Sequence, residues 1–267
     1  MVFSVTLTWA WPALAAPQDG LPGIPPAGAD GAPILPRLDF SFEWASLITS
    51  DDRFDWRGQI EFDLDMVDYG SGRASFVGRY EGIIGRERRR YDLNQGNYFF
   101  EASGSVRTRA AEVVGLMQHV SRHAVDRENQ PAISWNTYGV RAQRSWGGSP
   151  KPGWAGTRVD GEIEISKTMQ LAFVDYRWLS RARATMTRPI SPKMSFKFDA
   201  IGDVIGVDTE TRGRSRVCGG RLEGALRIAG KAASVELFAG YERRIDAYPT
   251  DRYRVRWLTA GFRITSW

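Results

Sequence analysis

One cysteine, Cys218, stands among the 267 residues, so neither an intrachain disulfide nor a cysteine-based zinc site can form. Histidine is almost as scarce, His119 and His123 being the two present. After the first residues no segment approaches the roughly 20 consecutive apolar residues of a spanning helix. Charge of one sign barely dominates: 36 Lys and Arg against 31 Asp and Glu leave a net +5, spread along the chain. There is no zinc-finger spacing, no RNA-binding aromatic signature and no basic helix, which argues against nucleic acid as a partner. Aromatic residues, in contrast, are plentiful, ten Trp among them. Trp and Tyr gather at membrane interfaces, and a mildly basic surface suits the phosphates of membrane phospholipid or lipopolysaccharide.

The chain opens with a largely apolar run, Val2 to Leu14, that ends in Ala13-Leu14-Ala15-Ala16. This reads as an export signal over residues 1–16, although the usual positive residues ahead of it are missing. Residues 17–37 carry Pro17, Pro22, Pro25, Pro26, Pro33 and Pro36 and read as a flexible periplasmic linker. Residues 38–267 form the remaining domain. An exported membrane protein without spanning helices has to be a closed β-barrel, because unpaired backbone groups cannot face lipid.

The clearest pattern runs from Phe54 to Met66. Phe54, Trp56, Ile60, Phe62, Leu64 and Met66 share one parity, and Asp55, Arg57, Gln59, Glu61, Asp63 and Asp65 hold the other. A helix cannot separate those two sets; a strand does so automatically. The run is longer than a typical soluble strand, and its charged row and apolar row match the lumen and lipid faces of a membrane barrel. The pattern returns with Tyr98, Phe100 and Ala102, with Val159, Ile163 and Ile165, with Leu222, Leu226 and Ile228, and with Val235, Leu237 and Tyr241. Turn-like segments such as 68–72, 85–96, 147–156, 188–193, 202–213 and 246–251 divide the chain into about twelve strands, the last ending on Trp267. A soluble β-sandwich would have shorter strands with charged rows facing water. The expected fold is therefore all-β, an antiparallel transmembrane β-barrel of about twelve strands.

Both histidines fall in one predicted strand, 112–125, where His119, Ser121 and His123 share a face. Asn136 follows in the next strand, in phase with Tyr138, Val140 and Ala142, a row that looks lipid-facing. The rows of the 112–125 strand are both apolar, so its facing is open. A serine, an imidazole and an amide that meet across two strands can serve as nucleophile, base and orienter, a constellation recognised by roles rather than by order. The other reading is that these side chains pack in a polar lumen or an aromatic belt, in a barrel that is a structural protein or a narrow pore.

His119-Val120-Ser121 followed by Ser134-Trp135-Asn136 resembles the outer-membrane phospholipase A family, twelve-stranded barrels with a His-x-Ser pair and a Ser-Trp-Asn segment on neighbouring strands. The resemblance implies a lipid acyl hydrolase that faces the outer leaflet, with Ser121 as nucleophile, His119 as base and Asn136 as orienter. Main-chain N–H groups near Ser121 would stabilise the oxyanion. It also implies calcium, for which Asp126 and Glu128 are oxygen donors of the right kind, a homodimer, and a role for Arg141, the arginine that follows Asn136. His123 would then lie beyond the reaction centre. Arg122 and His123 stand where the family has Asn and Gly. Elsewhere, Arg86, Arg88, Arg89 and Arg90 cluster after the third strand, and arginine forks suit phosphate.

Overall fold

The computed structural model describes residues 34–125, 130–148, 156–249, 251–252 and 254–266. The expected signal, the linker as far as residue 33, Asp126, Glu128 and Trp267 lie outside them. Twelve strands follow one another: β1 Ile34–Ile48, β2 Trp56–Asp68, β3 Arg73–Gly85, β4 Asp92–Arg107, β5 Glu112–Ala124, β6 Ile133–Gly147, β7 Arg158–Ala172, β8 Tyr176–Ser191, β9 Met194–Val207, β10 Arg216–Ala229, β11 Ala233–Arg244 and β12 Val255–Ser266. Each pairs antiparallel with its neighbours in sequence, and β1 pairs with β12 to close the barrel. Strands of 12 to 16 residues exceed the 9–11 that a tilted strand needs to cross a membrane.

The alternation read in the sequence becomes two chemically opposite surfaces. Outside stand Ile60, Met117, Val140, Ile163, Ile165, Leu222, Leu237 and Leu258, all exposed. Inside, Glu43, Arg57, Asp65, Glu101, Glu164, Asp199, Glu223 and Glu236 are buried. Apolar outside and charged inside is the reverse of a water-soluble fold. The only solvent that makes it stable is lipid, so the chain is a transmembrane β-barrel of the bacterial outer-membrane type. On the wall the Phe76 ring is tilted against Phe62 and stacked on Phe100, with ring centroids 5.9 and 6.2 Å apart. The Phe62 ring covers Gly78 opposite it, where a Cβ would stand. Phe62 is central in β2, and Phe62→Arg is expected to cost roughly 2–4 kcal/mol, the penalty for a cation near the midplane. Urea unfolding in lipid vesicles reads that loss, and an unchanged midpoint would mean that the residue does not face lipid.

Several boundaries differ from the sequence reading, each for a local reason. Ordered strand begins at Ile34 rather than near Leu38. Phe54, expected on the outer wall, lies in the turn before β2 and is fully buried, 5.2 Å ring to ring from Trp257. Asp55, expected in the lumen, lies in the same turn and pairs with Arg86. A bulge between Asp65 and Val67 interrupts the period, so both Asp65 and Asp68 are buried. The expected turn at 85–96 is shorter, because β4 already begins at Asp92; that at 188–193 shrinks to a tight hairpin between Ser191 and Met194. Segment 202–213 is the end of β9 followed by a short helix, α1 Thr209–Arg212, capped by Asp208.

The start of β1 and the end of β12 lie at one end of the barrel. At the other, the distal end, most of the longer loops gather, as on the extracellular side of such barrels. The lumen changes character along its length. Toward the terminal end and through the middle it is a cavity of about 990 Å³ walled by charges. At the distal mouth it is filled by two apolar clusters, Leu47, Phe54, Ile83, Tyr248 and Trp257 in one, Ile133, Trp135, Tyr176, Ile205 and Val217 in the other. The loop between β11 and β12 is pinned over them. Asp246 accepts from Tyr176 at 2.7 Å and from Arg212 at 2.6 and 2.9 Å, and its carbonyl accepts from Arg122 at 2.6 Å. Burial, the largest single influence, would raise the Asp175 carboxyl, but the hydrogen bonds from Arg212 together with the positive charges of Arg212 and Arg252 hold it below its usual range.

Candidate active site on the lipid-facing wall

The facing of β5, open in the sequence, follows from its apolar rows. Val114 and Leu116 are buried in the lumen, whereas Val113 and Met117 are exposed. His119, Ser121 and His123 share parity with Val113 and Met117, so all three stand on the lipid side, toward the distal end. Register places His119 directly opposite Asn136 on β6, and opposite Phe100 on β4. The register between β6 and β7 shifts at this point, Asn136 facing Gln170 and Thr137 facing Thr168, so that Met169 of β7 is the extra, bulged residue.

His119 Nδ1 and Asn136 Oδ1 are 2.6 Å apart. The Asn136 amide lies with Nδ2 toward Gln170 Oε1, at 3.0 Å, and Oδ1 toward the imidazole. With Oδ1 as acceptor, His119 Nδ1 must carry the hydrogen, and Nε2 is left with a lone pair. The Phe100 ring stacks on the imidazole at 6.5 Å and 17°. An amide thus fixes tautomer and tilt, and an aromatic face supports the ring, as a general base requires.

Ser121 lies between the two histidines on the same face. Its Oγ hydrogen-bonds His123 Nε2 at 3.1 Å rather than His119. His123, expected to lie beyond the reaction centre, is therefore the partner of the expected nucleophile, and Tyr98 holds its ring edge-on at 5.6 Å. Two further expectations fail on geometry. Arg141 points into the lumen, where it pairs with Glu101 and Glu164 at 2.5 and 2.8 Å, remote from the serine's face. The main chain around Ser121 lies within the sheet between β4 and β6, in register with Tyr98 and with Ser134, so the N–H groups of this stretch serve the sheet ladders rather than an oxyanion hole. Among the described residues no group of three metal-ligating side chains comes together.

No family model and no curated protein matches the sequence. Solved structures with a similar course of chain include the outer membrane protein Omp33 of Acinetobacter baumannii, 9% identical over 86% of this chain and 96% of that one, with a TM-score of 0.42. OprB of Pseudomonas putida in its high-pH structure is 9% identical over 88% and 94%, with a TM-score of 0.42. A bacterial polysaccharide outer membrane secretin is 12% identical over 86% and 97%, with a TM-score of 0.39. Values this low bear on no residue and no activity.

Proposed function

We propose that this outer-membrane barrel is a lipid acyl hydrolase whose nucleophile is Ser121, whose base is His119 and whose orienting residue is Asn136. The observation that carries the reading is the 2.6 Å contact between His119 Nδ1 and Asn136 Oδ1 on the lipid-facing wall, beside a serine of the same row. It leaves Nε2 free to take a proton. The reading requires Ser121 Oγ to give up its bond to His123, turn to His119 Nε2 and attack the ester carbonyl of a lipid lying against the wall. The proton passes from Oγ to Nε2 and then to the leaving alcohol, and water repeats the sequence to free the fatty acid. Calcium at Asp126 and Glu128 is what the family resemblance implies for the oxyanion. Both residues lie outside the described segments.

A second reading is favoured by the bond between Ser121 and His123. In it the row packs in the interfacial belt of a non-catalytic barrel, and the apolar clusters at the distal mouth keep the lumen from acting as an open pore. One experiment separates the two. Purified protein in mixed detergent–phospholipid micelles is treated with a long-chain sulfonyl fluoride, then assayed for fatty-acid release and analysed by peptide mass spectrometry. The hydrolase releases fatty acid until Ser121 is sulfonylated in proportion to the loss. Neither release nor label would leave the non-catalytic barrel.

A further inference from the structure

At the distal ends of β10, β11 and β12 the wall carries positive charge without its counterpart. Register sets Arg243 of β11 directly opposite Arg256 of β12. Like charges so placed repel across a sheet. Arg254, just before β12, and Arg214, from the loop before β10, stand beside them. With Arg252, Asp51 and Val255 these arginines line one cleft of about 570 Å³. Its single carboxylate is already engaged, Asp51 accepting from Arg53 at 2.8 and 3.0 Å. Among the described residues no carboxylate pairs with Arg214, Arg243, Arg254 or Arg256. Arg243 Nε is buried and has no hydrogen-bond partner. Loss of water, then Arg243 and Arg214 alongside, draw Arg254 below the ordinary range of a guanidinium. The sequence-prominent cluster is different, since Arg86 is neutralised by Asp52 and Asp55 at 2.8 and 3.1 Å.

An anion shared among these arginines would relieve their mutual repulsion. The depth of the array says what kind. The arginines stand at the extracellular rim, and directly below them on the same outward faces are exposed Leu222, Tyr241 and Leu258. A ligand with phosphate at head-group level and acyl chains beneath it matches both parts. We propose that this cleft binds the phosphate esters of an anionic lipid of the outer leaflet, the guanidinium forks holding the phosphate and the wall below holding the chains. Binding here is independent of chemistry at Ser121, which lies on β5.

The test titrates detergent-solubilised full-length protein with diphosphorylated lipid A, with its dephosphorylated form and with inorganic phosphate, and reads binding by native mass spectrometry and thermal melting. Wild type should bind the phosphorylated lipid, more weakly as salt rises. The triple variant R243Q/R254Q/R256Q should lose roughly a hundredfold in affinity, while R86Q/R88Q/R89Q/R90Q keeps it. Without lipid the triple variant should melt no lower than wild type, since it removes a repulsion. R254Q alone, a change outside the strands, provides the same comparison at smaller amplitude if the triple variant does not fold. Undiminished binding by the folded variants, or equal binding of dephosphorylated lipid, would overturn the proposal. So would full displacement by millimolar inorganic phosphate, which would make the cleft a free-anion site.

Discussion

Ser121→Ala is expected to lower lipid ester hydrolysis by about three orders of magnitude or more, and His119→Ala by a similar factor, because members of one catalytic unit cannot substitute for each other. Asn136→Ala removes only the bond that orients the imidazole. It should cost up to about a hundredfold, the scale of a misplaced catalytic group. His123→Ala is the informative variant. If His123 merely holds Ser121 at rest, the bond it makes is worth about 1 kcal/mol net, so losing it leaves the rate unchanged or raises it by at most about fivefold. If His123 is itself the base, the rate falls with that of Ser121→Ala and the role given to His119 is wrong. Initial rates of fatty-acid release in mixed micelles measure all four, with heat-modifiable gel migration as the check that each barrel is closed. Hydrolysis by Ser121→Ala at the wild-type rate would dispose of the nucleophile altogether.

The twelve-stranded barrel was legible because a membrane wall writes its two solvents into alternate residues, as in Trp56–Asp68, where Arg57, Glu61 and Asp63 face the lumen and Ile60 faces lipid. Phe54 shows the limit. It keeps the phase of the strand after the chain has turned, and nothing local marks that the distal mouth is plugged with apolar groups. Asp92, Asn94 and Gln95 look like a turn, yet all are buried beneath that plug, where Gln95 donates to the Ala247 carbonyl at 2.9 Å. The facing of Asn136 was readable from Tyr138 and Val140, whereas that of His119 was not, since both rows of β5 are apolar. Which histidine Ser121 would choose was beyond reach: both lie two residues away on the same face. The arginine cleft was invisible for another reason, because Arg214, Arg243 and Arg256 are distant in sequence and meet only through strand register.

Arg263→Met should be among the most damaging changes to stability, although the residue is far from any proposed chemistry. Its guanidinium serves three buried carboxylates at once: Glu43 at 2.6 Å, Glu236 at 2.7 Å and Glu223 at 3.0 Å. Each of the three is almost wholly inaccessible. The Phe238 ring lies 4.8 Å from the same cation. Methionine fills much of the volume but leaves the carboxylates facing one another with Arg57 and Lys197 as the remaining cations at Glu43 and Glu236. Removing one partner of a buried charge network costs roughly 3–5 kcal/mol, because the charges left behind have lost water as well as their counterion. Arg263→Lys should recover part of this, since it restores the charge without the fork that reaches several acids. The quantity to measure is the urea midpoint in lipid vesicles, followed by hydrolysis under conditions where the variant is folded. A large loss of stability with an unchanged rate would be expected if the charged lumen sets the barrel's shape and the outer wall does the chemistry. A midpoint equal to wild type would mean that the lumen charges are screened by water filling the cavity and contribute little to holding the strands together.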